Sequence, residues 1–505
     1  MNGMSTSVSN LLKSSLISLA ATLISLVAGF ASSVIAARLL GPAGSGEVAY
    51  ALWIATSAAA LADMGLPQAL LRNTGGLSGD GEAWKILVRT ALRSFMISVS
   101  MVGAAILAFA AIIYIQRDTR HALLWIVTGL LFLSYAFHVF SMAIARGRNR
   151  FGQTARTTAL GGILQIPLVF AGAWLLGPTG AVIGYVVRYL PQALLLRSYV
   201  DRDIKPSHEA LQPEMRRYGR HIWLSDLIEI LVLSRIEFLF LGLFLSSTSV
   251  GYFAAGLGLT GLIEQVMLQI SPALIVSFTE AHARNDQRML NAAYRRVIRI
   301  VALVMLPISF GGAAIMPDLL PLIFGDAFDP AIPASATLLA FVWLAGMSVI
   351  PWGIIGASGR SVLLLRVQII SGMLMILLLT ALVPRMGLQG AALARAAIVT
   401  LTFVLLSWTA WRYVQVSVPV AALAKTMLAA ILCAVAAGVG VYSFDGAIAI
   451  VTAVPAGVMA YMLAVRFLRL IDPEDVKILM DTVGGKLPGA SRPFASKLLT
   501  FLAPG

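Results

Sequence analysis

"AARLLGPAGSGEVAYAL", Ala36–Leu52, joins two long apolar runs through a turn of glycine, proline and serine. Much later the chain reads "GLFLSSTSVGYFAAGL", Gly242–Leu257, with the same cadence. A shift of 205 residues lays Gly46 on Gly251, Ala49 on Ala254 and Leu52 on Leu257. It also carries Pro67, in "DMGLPQALL", onto Pro272, in "LQISPALIV". "ARGRNRF" (Ala145–Phe151) then resembles "ASGRSVL" (Ala357–Leu363) at a shift of 212, and "LGPTGAVIG" (Leu176–Gly184) resembles "MGLQGAALA" (Met386–Ala394) at 210. Each pair is short, but their common order and nearly constant spacing define an internal repeat.

The repeat lies in a chain made for lipid. Of 505 residues, 59% are hydrophobic and 12% charged, against about 25% charged in soluble proteins. A helix needs about 20 apolar residues to cross the hydrocarbon core. By that ruler the sequence holds fourteen spans between residues 11 and 469. The runs are too long and too uniformly apolar for barrel strands, so the expected class is an all-α polytopic membrane protein. The first run is too long for a cleavable signal and is expected to stay in the chain. A repeat of six helices returns the chain to its starting side, so the two halves share one orientation about an axis along the membrane normal. The expected organisation is a six-helix lobe over 1–200, a linker over 201–221, a second six-helix lobe over 222–412, helices 13 and 14 over 413–470, and a tail over 471–505.

The formal charge of +14 is a signal of topology. With the N-terminus in the cytoplasm, thirty of the 37 Lys and Arg fall at the termini and in the loops on that side. Only Arg38, Arg117, Arg120 and Arg385 fall opposite. The positive-inside rule therefore puts both termini in the cytoplasm. Attraction to anionic lipid follows from the same charges, and no nucleic-acid partner is needed to account for them. Trp84, Trp125, Trp174, Trp223, Trp408 and Trp411 are expected in an interfacial aromatic belt.

Little here suits an enzyme. The lone cysteine, Cys433, sits in an apolar run as a small packed residue. The five histidines show no metal-ligand spacing, and there is no phosphate-cradling Gly-Lys-Ser/Thr loop. No resident cofactor or metal is expected. "GDAFDPA", Gly325–Ala331, holds two aspartates with no base or nucleophile beside them. Two segments read as amphipathic: Thr279–Ile300, expected along the membrane surface, and the stretch from Asp472, which starts like a capped helix.

Charges inside the spans are costly and therefore informative. Arg188, Arg235 and Arg395 lie within spans 6, 7 and 12, and their forked guanidiniums suit phosphate oxygens or acidic sugars. Arg72, at a helix end, is an interface anchor that could also meet a phosphate. Asp63, Glu237 and Glu264, with Asp226 and Glu229 nearer the mouth of span 7, are candidates for ion coupling or for counter-charge to the arginines. On one regular helix Asp226, Glu229 and Glu237 fall within about 80° of one another with Arg235 opposite. Pro67, Pro272, Pro307 and Pro351 are hinge candidates.

"ARLLGPAGSGEVAYAL" with "LADMGLPQALLR", "SRIEFLFLGLFLSSTSVGYFAAGL" and "LIFGDAFDPAIPASATLLA" together resemble the polysaccharide exporters of the multidrug/oligosaccharidyl-lipid/polysaccharide (MOP) superfamily, over roughly residues 10 to 410. The resemblance implies two six-helix lobes about a central cavity and alternating access. It also implies translocation of an undecaprenyl-pyrophosphate-linked saccharide from the cytoplasmic to the periplasmic leaflet of a bacterial inner membrane; the intramembrane acids add H+ or Na+ as the candidate coupling ion. Polysaccharide polymerase or export machinery would be the partners. The alternatives are a multidrug cation antiporter, a lipid II-type flippase and, from another class, a membrane-embedded glycan polymerase or transferase. Three intramembrane arginines favour an anionic cargo over a cationic one.

Overall fold

A computed structural model describes residues 2–74, 81–201, 203–207, 213–283, 286–444 and 446–471. The capped stretch from Asp472 lies outside the described residues. Among them there is no strand. The helices are α1 (Asn2–Asp63), α2 (Leu66–Thr74), α3 (Gly81–Ile115), α4 (Thr119–Gly147), α5 (Phe151–Leu194), α6 (Leu196–Tyr199) and α7 (Pro213–Leu227). A π-helical turn over Ile228–Ser234 follows, then α8 (Glu237–Phe244), α9 (Ser247–Ala283), α10 (Gln287–Ala314) and α11 (Met316–Phe324). After a 3₁₀ turn over Asp326–Ala331 come α12 (Ile332–Ala357), α13 (Ser361–Val414), α14 (Val420–Ser443) and α15 (Gly446–Phe467). Nine helices among the described residues are long and apolar enough to cross a membrane.

Three of these, α1, α5 and α13, run for 62, 44 and 54 residues, enough to cross a bilayer twice, and each breaks at a glycine with positive φ: Gly41, Gly177 and Gly387. At Gly177 the chain reverses completely. Gly172 packs on Gly180, Gly184 on Val169, and Gly161 on the Arg188 backbone, so the two arms of α5 lie antiparallel. Glycine is required at the corner because a side chain is strained at φ 63°, and along the arms because the backbones touch. Gly177 and Gly387 are the repeat-related pair "LGP" and "MGL", so the two halves turn by the same device.

The chain forms two compact units. The first contains 1–258 and 368–388, and the second contains 259–367 and 389–505. The first is organised around Phe95, Phe132, Phe140, Leu131 and Ile144 of α3 and α4, with Val169, Val182 and Tyr185 of α5. Phe95 stacks on Phe140 at 4.5 Å. Many hydroxyls in the spans return to their own helix, as Thr128 does to the Leu124 carbonyl at 2.8 Å, which satisfies them where no water is at hand. The linker begins docked on α3: Lys85 pairs with Asp201 at 3.0 Å, and Thr90 Oγ1 accepts from Ser207 N at 3.0 Å.

The second unit packs Tyr294, Ile298, Met305 and Leu306 of α10 against Met347, Ile350 and Ile354 of α12 and Leu406 of α13. Cys433 lies buried on α14, its sulfur where a Cβ on Gly311 or Gly457 would come within 3.3 Å. The basic stretch expected along the membrane surface is, from Gln287 onward, the beginning of α10, which continues unbroken to Ala314. Trp84 and Trp223 also differ from the belt reading. Trp84 is buried with Arg148 stacked 4.2 Å from its ring, and Trp223 Nε1 donates to the Ala60 carbonyl at 2.8 Å. Trp174, Trp408 and Trp411 are exposed on their helices, as a belt requires.

Candidate functional site

The arms of α5 and the first arm of α1 enclose a charged group in the first unit. Arg188 Nη1 donates to Gln165 Oε1 at 2.9 Å, and Nη2 donates to Ser25 Oγ at 2.7 Å and to the Ser25 carbonyl at 3.5 Å. Gly29 supplies the space, since a Cβ there would stand 3.0 Å from Nη1. All three contacts are to neutral oxygens, and Arg188 makes no ion pair with any described residue. The guanidinium is thus held in place without being neutralised. Three of its five N–H groups are engaged, which leaves donors and a full charge for an anion.

Aromatic and polar side chains surround it. Tyr189 lies 5.5 Å below the guanidinium, in edge-to-face contact with Tyr135 at 4.9 Å and His138 at 5.2 Å. Tyr185 stands within electrostatic reach of both Arg188 and Arg235, and Tyr135 within reach of Arg188 and Asp63. A buried chain extends the network: Gln192 Nε2 donates to Ser141 Oγ at 2.9 Å, and Thr157 Oγ1 donates to Gln192 Oε1 at 2.6 Å. Two arginines predicted from sequence therefore act on one tyrosine. Ser25, Gln165, Tyr135, His138, Tyr185 and Tyr189 were not anticipated. For the aromatic and histidine residues a signal was present in the spacing, because Tyr185, Arg188 and Tyr189 (i, i+3, i+4) share one helix face, as do Tyr135 and His138.

The segment bearing Arg235 is not the regular helix that the wheel assumed. Ile228–Ser234 winds as a π-turn, and Arg235 leaves helical geometry altogether at φ −151°, ψ 29°. Its exposed guanidinium lies 5.8 Å from the Phe238 ring, while Glu237 begins α8 fully buried. The acidic stripe is accordingly divided. Glu229 accepts from Gln368 Nε2 at 3.4 Å, and Ser225 Oγ donates to Gln368 Oε1 at 2.8 Å. Asp226 instead takes a hydrogen bond from Gln68 and lies close enough to Asp63 for the two charges to repel. π-turns are concentrated at functional positions.

Asp63 also has a local task. Its Oδ1 accepts the Gly65 N–H at 2.8 Å and closes the break at Met64 and Gly65, both with positive φ, between α1 and α2. That break precedes Pro67, which sits in the first turn of α2. α10 and α12 run unbroken through Pro307 and Pro351, and Pro272 lies along α9. Arg72 is exposed in the last turn of α2. Glu264 and Arg395 are half-buried and belong to the second unit. No cluster of three metal-ligating side chains occurs among the described residues.

A long-helix membrane fold with an arginine-centred polar interior defines a class, and comparison with known proteins supplies the family. The chain belongs to the polysaccharide biosynthesis protein family, whose model matches residues 35–333, more than half of its length. Its fold is shared with solved structures of other proteins. It is similar to the lipid II flippase MurJ in an inward closed conformation, at 12% identity and TM-score 0.74, over 90% of this chain and 98% of that one. It is also similar to an inward-facing multidrug resistance MATE family transporter at 19% identity and TM-score 0.62, over 82% and 99%. A MOP superfamily transporter from Pyrococcus furiosus matches at 18% identity and TM-score 0.53, over 79% and 94%. A comparison with curated protein sequences gives no match.

Proposed function

We propose that the protein is a flippase that carries a lipid-linked saccharide, its lipid a polyprenyl pyrophosphate of the undecaprenyl type, from the cytoplasmic to the periplasmic leaflet of a bacterial inner membrane. The observation that carries this reading is Arg188: a guanidinium inside a span, held by Gln165 and Ser25 and lacking a carboxylate partner among the described residues. Such a group attracts an anion and repels an organic cation. Family membership and the flippase and transporter relatives support the same class over a glycan polymerase or transferase.

In this reading the chain crosses the membrane fourteen times with both termini in the cytoplasm, as lobes 1–200 and 222–412 joined by 201–221 and followed by helices 13 and 14. Arg188 and Arg235 hold the pyrophosphate or acidic sugars, Arg395 is a further substrate-binding candidate within the second unit, and Arg72 meets the headgroup on entry. Tyr135, Tyr185 and Tyr189 offer faces and hydroxyls to the sugar. Alternating access moves the cargo. Asp63 with Asp226, and the buried Glu237, take up the coupling H+ or Na+, because two like charges held close together favour binding a cation between them. Glu229 and Glu264 serve as counter-charge. A polysaccharide polymerase or export complex would receive the product.

The test is mass spectrometry of lipid-linked sugars in a strain lacking the gene, with and without complementation. Accumulation of one polyprenyl-pyrophosphate glycan, cleared by the wild type and not by Arg188→Ala, is expected. An unchanged lipid pool with new sensitivity to organic cations would replace this reading with that of a cation exporter.

A further inference from the structure

The first turns of α10 carry Arg288, Arg295, Arg296 and Arg299 with Asn291 and Ala292 along one face. These residues line a cavity of about 570 Å3 closed on its other side by Pro419, Ala421 and Ala422, at the start of α14. Among the described residues the cavity lining contains four arginines and no carboxylate.

The walls are fixed. Gln287 Nε2 donates to the Val414 carbonyl at 2.6 Å and to the Gln415 carbonyl at 3.1 Å. Asn291 Oδ1 accepts Ser417 N at 2.9 Å, and Arg295 Nη1 donates to Ser417 Oγ at 3.3 Å. These bonds clasp the elbow before α14, where Gln415 is left-handed. Leu290, Tyr294 and Ile298, fully buried on the opposite face, prevent α10 from turning its arginines away.

Guanidiniums gathered around one space favour an anion between them, and Arg288 and Arg295 are exposed on that face. The size lies within the usual range of small-ligand pockets, about 300–1,000 Å3. Forked donors match phosphoryl oxygens, while the proline and alanine wall accepts an apolar glycerol or acyl stem. We propose that this cavity binds a phosphoryl anion, with the headgroup of an anionic membrane lipid as its source, and that the bound headgroup ties α14 to α10. The site is separate from the Arg188 cluster in sequence and in chemistry, since its described lining offers guanidiniums without aromatic surfaces for a sugar. Under the proposed orientation it faces the cytoplasmic leaflet. It does not depend on what cargo is carried.

The full-length protein in detergent, examined by native mass spectrometry with phosphatidylglycerol, phosphatidylcholine or inorganic pyrophosphate, tests the assignment. The wild type should retain phosphatidylglycerol in preference to phosphatidylcholine. Arg288→Gln with Arg295→Gln removes two exposed charges and should weaken that retention by about thirtyfold. Ala422→Trp fills the cavity with every charge kept and should also weaken it. Retention of phosphatidylcholine reports on whether either variant remains folded. Pyrophosphate that binds at these arginines and displaces the lipid would identify a soluble phosphate as the source of the same chemistry. Equal retention of both lipids by the wild type, or undiminished phosphatidylglycerol in both variants, overturns the proposal.

Discussion

Gly46 and Gly251 each rest on a backbone carbonyl one helical turn before the other. A Cβ on Gly46 would overlap the Ser247 carbonyl oxygen, and a Cβ on Gly251 would overlap the Pro42 carbonyl oxygen. Pro42 and Ser247 are themselves 205 residues apart, as Gly46 and Gly251 are. The contact is therefore reciprocal about the repeat axis: each half supplies one glycine and one carbonyl. Gly242, packed on the Tyr50 ring, continues the seam. The short turn is written twice because its two copies meet.

Gly46→Ala and Gly251→Ala should each push the two turns apart, at a cost of about 1–3 kcal/mol, typical of overpacking. Once the turns have separated, the second methyl has less to displace, so the double variant should cost less than the sum of the singles. Thermal unfolding of the purified singles and the double variant checks this. Additive effects would mean that the two glycines do not share one contact.

Much of this architecture was legible before any coordinates. The turn glycines, the repeat and the long apolar helices are all signals of composition and spacing. The break within span 7 was not. Ile228–Ser234 contains neither proline nor glycine, and a π-turn follows from packing against another segment. Here Gly372 brings its helix against Ile228 and Val232, over a distance in sequence that no local pattern records. The neutral partners of Arg188 were missed for a related reason. Gln165 and Ser25 look like isolated polar residues in apolar runs until the α5 hairpin closes. Trp84 and Trp223 show the reverse error, because position along a span does not say which face looks inward.

Arg188→Ala should reduce transport by about 10–100-fold, the value of one or two charge-assisted hydrogen bonds. Arg188→Lys keeps the charge but loses the fork and should fall in between. Gln165→Leu removes one neutral acceptor, leaves the guanidinium charged and should cost less than Arg188→Ala. Lipid-linked sugar levels, normalised to inserted protein, give the order. Full activity of Arg188→Ala would remove this residue from the binding site.

Asp63 carries two roles that a single substitution can separate. Asn retains an oxygen to accept the Gly65 N–H, so Asp63→Asn should preserve the break between α1 and α2. It should nevertheless abolish any dependence of transport on the ion gradient, because the charge opposite Asp226 is gone. Asp63→Ala should lose both the gradient dependence and stability. Transport assayed with the gradient collapsed and restored distinguishes them. An Asn variant that still responds to the gradient assigns Asp63 to the turn alone.

The linker contact gives a pH dependence with a definite sign. The hydrogen bond from Lys85, followed by the Asp203 N–H, holds the Asp201 carboxyl below the ordinary aspartate range. A folded-state pKa below the unfolded one contributes stability above the unfolded value, about 3.9, and that contribution fades as pH falls through the folded value. Lys85→Ala should therefore be less stable than the wild type near neutrality, and the two curves should converge below about pH 4. The pair is half-exposed, so the gap should also shrink as salt is raised. Unfolding temperatures measured for both proteins from pH 7 to pH 3 decide the matter. A gap that persists unchanged at the acid end would show that Lys85 acts through its aliphatic stem and not through Asp201.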